Sequence, residues 1–96
     1  MTRRTIISRI RKHHAQLTAL GVKSLSLFGS VARGEEHPGS DIDILVEFEG
    51  RATFDGYMDT KFYLEELLGC EVDLVTPQAI KAEMKAGIMK DLIHVA

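Results

Sequence analysis

The feature that most constrains the fold is a central segment in which apolar and polar side chains alternate. The apolar side chains Ile42, Ile44, Val46 and Phe48 fall on one side of an extended chain, and Asp41, Asp43, Leu45 and Glu47 fall on the other. Successive side chains of a β-strand point to opposite faces, so the pattern predicts a strand over 41–48 with one buried face. Such a strand needs a second layer to cover its apolar side.

Helical segments on either side of this strand can supply that layer. Apolar residues at helical spacing predict a helix over 5–20, ended by Gly21, and another over 55–68, ended by Gly69. The second helix is expected to turn its apolar residues toward the core: Met58, Phe62, Leu64, Leu67 and Leu68.

Further elements complete the pattern. Strands are predicted over 22–28 and 71–76, a short helix starts after Gly29, and Pro77 suits the first turn of a last helix. The order α-β-α-β-α-β-α predicts an α/β (α+β) fold, a small mixed sheet flanked by helices. The order and direction of the strands stay open at this point.

Composition places limits on what the chain can be. Its 96 residues, 45% hydrophobic and 27% charged, predict one soluble globular domain spanning 1–96. No apolar run approaches the roughly 18–20 residues that a membrane span needs. The basic N-terminus lacks a signal-peptide core, so a cytoplasmic location is expected.

Charge is distributed unevenly along the chain. Residues 1–23 hold six of the 12 Lys and Arg residues and none of the 14 acids. This basic stretch could contact phosphates or an acidic protein, or simply face solvent. With a pI of about 6.0, direct binding to nucleic acid is not expected.

Two patterns carry chemistry. Asp41 and Asp43 share one strand face about 7 Å apart, and such a pair repels itself unless a cation such as Mg²⁺ lies between the carboxylates. Gly29-Ser30 stands where a strand turns into a helix, a place where backbone N–H groups can approach a phosphate. Taken singly, each pattern is better explained without a ligand, the first as a polar strand end exposed to solvent and the second as a capped helix.

The combination is more specific. Gly29-Ser30, ten residues and then Asp41-Ile42-Asp43 resembles the signature of the DNA polymerase β-like nucleotidyltransferase superfamily. The run from Phe28 to Gly34, followed by 40–46, is similar to the minimal nucleotidyltransferase (MNT) subgroup. Asp73 in 71–75 stands where that family has its third carboxylate.

This resemblance implies roles for the residues. Asp41, Asp43 and Asp73 would be catalytic and would hold Mg²⁺ against ATP, the donor. The resemblance assigns binding of the nucleotide to a second set of residues: Gly29, Ser30, Arg33 and Ser40.

The resemblance also implies a partner. Similar MNT proteins are antitoxins that transfer AMP from ATP to a tyrosine of an all-helical HEPN ribonuclease toxin. Two alternatives remain, an antitoxin that acts by binding alone and a nucleotidyltransferase that modifies a small molecule such as an aminoglycoside. The three carboxylates favour an enzyme.

Overall fold

A computed structural model describes residues 2–35 and 41–96 of the chain. The described residues form a sheet with helices against it, which confirms the fold class expected from the sequence. The helices are α1 (Arg3–Lys12), α2 (His14–Ala19), α3 (Gly29–Ala32), α4 (Phe54–Leu68) and α5 (Ala82–Lys90), with a 3-10 helix at Pro77–Ala79. The strands are β1 (Val22–Phe28), β2 (Ile42–Phe48), β3 (Val72–Val75) and β4 (Ile93–His94).

The four strands lie in the order β3-β2-β1-β4. β1 pairs antiparallel with β2 and with β4, whereas β2 pairs parallel with β3. A parallel neighbour requires a crossover connection, and α4 provides it between β2 and β3. The sheet is therefore mixed, as the order of elements predicts.

The core lies between one face of the sheet and the helices α1 and α4. Ile42 and Ile44 of β2 belong to the same buried cluster as Ile6 and Ile10 of α1 and Leu64 of α4. Helical spacing in α1 and α4 and alternation in β2 bring these apolar residues together. Alternation sends Asp43 to the opposite face of the sheet.

The first helical segment differs from the single helix expected over 5–20. It begins earlier, where the Thr2 hydroxyl accepts a hydrogen bond from the Thr5 N–H, and it is interrupted at His13. The His13 ring bonds to the Arg9 carbonyl at 2.8 Å. Ile10 of α1 and Leu17 of α2 both pack into the core.

The end of the chain also differs from expectation. Pro77 starts the 3-10 helix, and the last helix begins five residues later, at Ala82. β4 was not expected. It adds to the edge of β1, and the hydrogen bond from the Val95 N–H to the Leu25 carbonyl, at 2.8 Å, extends this pairing.

Two apolar side chains lie where the sequence pattern did not place them. Leu45, on the polar side of β2, is buried beside Ser26 of β1. Phe62 was expected in the core, but 56% of its surface is exposed. It lies two residues from both Thr60 and Leu64, which are buried, so it occupies the opposite side of α4.

Side chains of α4 protect the edge strand β3. The Val72 N–H donates to Glu65 Oε2 at 3.1 Å, and the Tyr57 hydroxyl donates to the Leu74 carbonyl. Unpaired backbone groups at a sheet edge invite pairing with other chains. α4 thus satisfies backbone groups of β3 as well as covering the sheet.

We expect Tyr57→Phe to lower the free energy of unfolding by about 1 kcal/mol, because the ring stays packed while the Leu74 carbonyl loses its donor. Urea unfolding followed by circular dichroism measures the difference. Tyr63→Phe is the matched control, since the contact of Tyr63 with His13 is made by the ring. Equal stability of Tyr57→Phe and the wild-type protein would contradict the prediction.

Candidate active site

Two carboxylates meet at the start of β2 and β3. The parallel register pairs Asp43 directly with Asp73, so their side chains leave the same face of the sheet from adjacent strands. Neighbouring strands lie about 4.8 Å apart, which brings the two side chains into contact range. Asp41 immediately precedes β2 and is exposed.

The surroundings of Asp43 disfavour its charged form. Partial burial, then the charge of Asp73 and a hydrogen bond with it, and then the charge of Asp41 raise the pKa of Asp43 to about 6. The positive charge of Arg33 acts in the opposite direction. At neutral pH, Asp43 and Asp73 are therefore a poorly neutralised pair that a proton or a cation would stabilise.

The carboxylates do not form a closed metal cage. Across residues 2–35 and 41–96, no three His, Cys, Asp or Glu side chains are arranged to hold a metal ion together. Mg²⁺ commonly uses one or two protein carboxylates and completes its shell with water and substrate phosphates. The donor chemistry of Asp43 and Asp73 fits a metal bound in that way.

Gly29 allows the chain to pass directly beside Asp43. It follows β1, whose last residue, Phe28, pairs with Asp43. Its φ is +73°, and a Cβ atom on Gly29 would lie 2.1 Å from Asp43 Oδ2. Both the backbone conformation and the available space therefore require glycine, and Ser30 follows in the first turn of α3.

Arg33 lies just beyond α3 and is held by two acids. Its guanidinium bonds to Asp91 Oδ2 at 2.8 Å and to Glu35 Oε1 at 3.1 Å. The bond to Asp91 is the main reason that the pKa of Arg33 is raised. Asp91 gave no signal in the sequence, because only the fold brings the end of α5 to Arg33. Ser40, expected beside the nucleotide, lies outside the described residues.

A cavity of about 590 Å³ lies away from these residues. It is found near the opposite ends of β2 and β3 and is lined by residues that include Phe48, Arg51 and Pro77. None of Gly29, Asp43 and Asp73 belongs to its lining. Among the described residues, the side chains of Asp41 and Asp73 are exposed and that of Asp43 is half-buried.

Comparison with known proteins identifies similar chains. A family model described as a nucleotidyltransferase domain matches residues 7–95. A Methanocaldococcus jannaschii protein, provisionally named a protein adenylyltransferase, is 46% identical over 90 residues, covering 90% of each chain. The protein adenylyltransferase MntA of Thermococcus cleftensis is 34% identical over 96 residues, covering 99% of this chain and 97% of the relative.

Solved structures share the fold. One, described as a provisionally assigned minimal nucleotidyltransferase, has a TM-score of 0.83 at 32% identity and covers 97% of this chain and 95% of that one. Another match is the structure of a tri-AMPylated HEPN toxin from Shewanella oneidensis in complex with an MNT antitoxin. Its TM-score is 0.70 at 18% identity, and the match covers 99% of this chain and 72% of that one. The second likeness concerns the fold alone.

We expect Gly29→Ala to destabilise the protein and to displace the Asp43 carboxylate, because alanine disfavours a φ of +73° and its methyl group would overlap Asp43 Oδ2. The loss should exceed the roughly 1 kcal/mol typical of a left-handed position alone. Gly69→Ala is the control, since its φ is +71° but no atom lies within 4 Å of the added carbon. Thermal unfolding of the two variants compares them, and equal losses would contradict the overlap.

We expect Asp43→Asn to be more stable than the wild-type protein at pH 7 in metal-free buffer. Because the folded pKa of about 6 lies above the ordinary aspartate value of 3.8, the stabilising effect of the bound proton is complete below pH 3.8 and is lost as pH rises through 6. Asparagine resembles the protonated side chain, so the difference should disappear near pH 4. Urea unfolding at both pH values tests this, with Glu47→Gln, at an exposed position of β2, as the charge control. A destabilised Asp43→Asn at pH 7 would contradict it.

Proposed function

This chain belongs to the nucleotidyltransferase domain family and is a nucleotidyltransferase, and we propose that it transfers AMP from ATP to a hydroxyl group of a protein. The relatives named as protein adenylyltransferases, at 34–46% identity over most of the chain, support the protein acceptor. The observation that carries the proposal is the pairing of Asp43 with Asp73 beside Gly29. We propose that residues 1–96 act as one minimal domain.

The proposed acceptor is a tyrosine of a HEPN ribonuclease toxin, which the transfer would inactivate. A protein with this fold occurs in complex with an AMPylated HEPN toxin, which supports such a partner. The exposure of Asp41 and Asp73 suits an acceptor carried on another protein. This chain would then serve as the antitoxin of the pair.

Each site residue has a proposed role. Asp41, Asp43 and Asp73 would hold Mg²⁺, which when bound neutralises the charge that develops on the phosphates. Gly29, Ser30 and Ser40 would bind the terminal phosphates through backbone and hydroxyl groups. Arg33, which already lies close enough to Asp43 to lower its pKa, would contribute positive charge to the same phosphates.

The chemistry is an in-line displacement. The acceptor oxygen forms a bond to the α-phosphorus of ATP, the bond to the bridging oxygen breaks, and pyrophosphate leaves. The hydroxyl proton would pass to a carboxylate, and Asp73 would orient the attacking oxygen. The protein contributes position and electrostatic stabilisation, the two effects on which phosphoryl transfer chiefly depends.

Mass spectrometry of the acceptor tests the proposal directly. The chain is expressed together with a HEPN toxin, and the mass of the toxin is then measured on the intact protein and on its peptides. A gain of one AMP on a tyrosine is expected. An unmodified partner that is nevertheless inhibited would support an antitoxin that acts by binding, and transfer to a small molecule alone would overturn the protein acceptor.

We expect Asp73→Asn to reduce AMP transfer by about a hundredfold or more while ATP binding is largely retained, since Asp41 and Asp43 remain. Transfer of labelled AMP measures the first effect, and the rise in melting temperature with ATP and Mg²⁺ measures the second. Glu71→Gln, on the same segment but outside β3, is the matched control. Undiminished transfer by Asp73→Asn would remove Asp73 from the catalytic set.

A further inference from the structure

The outer face of α4 carries an exposed apolar row. Phe54 and Phe62 are 77% and 56% exposed, and the half-buried Met58 lies midway between them. Residues four apart in a helix stand one above the other, so the three side chains form a continuous stripe. Large apolar side chains grouped in this way mark a surface that another molecule covers.

The charges beside this stripe are negative. Asp59 and Glu66 are exposed and lie close to Phe62 on the side of α4 that faces α1. The nearby Lys61 is already paired with Glu65 at 2.9 Å and is partly buried. The outward side of α4 therefore combines an apolar row with an acidic border.

α1 presents the opposite charge on the same surface. Arg4, Ser8 and Lys12 are exposed and follow one another at intervals of four residues, so they share one outward stripe. The two bases lie about 12 Å apart along α1, and Asp59 and Glu66 lie about 10 Å apart along α4. Between the bases, Ser8 leaves room for a large side chain.

The two helices lie next to each other. Arg9 Nη1 of α1 donates to the Leu67 carbonyl of α4 at 3.4 Å, and the rings of His13 and Tyr63 lie edge to face with centroids 6.3 Å apart. Both helices pack on the sheet face opposite to Asp43. A single surface, formed by α1 and α4, thus carries a basic half and an acidic, apolar half.

We propose that the α1–α4 surface is an interface between two copies of this chain, related by a two-fold axis, with α4 of each copy lying against α1 of the other. A two-fold interface must be complementary to itself, and adjacent halves of opposite charge satisfy that condition. Asp59 and Glu66 of one copy then face Arg4 and Lys12 of the other, and Phe62 packs against Ser8. Every such contact occurs twice.

The proposed dimer leaves the chemistry accessible. The interface covers the helical side, whereas Asp43 and Asp73 leave the opposite face of the sheet. Both copies could therefore act on an acceptor at once. The proposal does not depend on the proposed function, because the charges and apolar row are independent of what the carboxylates do.

Reciprocal charge reversal tests the arrangement. One variant combines Asp59→Lys with Glu66→Lys, and the other combines Arg4→Glu with Lys12→Glu. Sedimentation equilibrium should give a dimer for the wild-type chain and a monomer for each variant, because like charges would then face each other across the axis. An equimolar mixture of the two variants should recover the dimer, since their charges are complementary.

Two controls separate this interface from general effects. Glu47→Lys with Glu49→Lys makes the same change in net charge at exposed positions in and next to β2, and this variant should remain dimeric. Phe62→Lys should give a monomer, because it removes the apolar contact and places a positive charge between Arg4 and Lys12 of the other copy. Circular dichroism and the melting temperature show whether each variant is folded. Where a charge variant is unfolded, Phe62→Ser takes its place as the variant that disrupts the interface.

The contrary outcomes are distinct. A wild-type chain that stays monomeric at concentrations up to about the millimolar range of weak association would overturn the proposal. Variants that remain dimeric would place the interface elsewhere. Two monomeric variants that do not associate when mixed would exclude the reciprocal arrangement. AMP transfer measured on the same monomeric variants should be unchanged. A wrong proposal about the dimer can therefore be distinguished from a wrong proposal about the activity.

Discussion

The parallel pairing of β2 with β3 is the interaction on which the rest of the structure depends. It places Asp43 beside Asp73, and it requires a crossover connection, which α4 provides. α4 in turn covers the core face and satisfies backbone groups of β3 through Tyr57 and Glu65. The helix α4 thus covers the core face of the sheet, protects the edge strand β3 and connects the two strands that carry the carboxylates.

This arrangement sets electrostatic repulsion against packing. The apolar residues of β2 hold its register firmly, because a shift by one residue would send Ile42 and Ile44 away from the core. Asp43 must then remain beside Asp73 although burial and charge disfavour its ionised form. A protein can keep such a pair only when the free energy of unfolding from the rest of the fold exceeds the cost of the repulsion. Functional sites commonly lower stability in this way.

Much of the fold could be predicted because its patterns are local. Alternation in β2 and helical spacing in α4 depend on residues near one another in sequence, and the predicted strand over 41–48 is found at Ile42–Phe48. The family indicated by Gly29-Ser30 and the two aspartates is also the one that the comparisons identify. The sequence could not specify β4, since two residues carry too little pattern to distinguish a strand from a loop. The contact of Arg33 with Asp91 joins positions 58 residues apart, and the burial of Leu45 likewise depends on tertiary packing.

The contact between Gly29 and Asp43 has a consequence for how this family can vary. A side chain at position 29 would occupy the space of the Asp43 carboxylate, and a longer acid at position 43 would need space that the backbone of Gly29 already limits. A side chain at position 29 therefore fits only where position 43 carries a residue smaller than aspartate. We therefore expect a side chain at position 29 only in relatives whose position 43, 14 residues further on, has already lost its carboxylate.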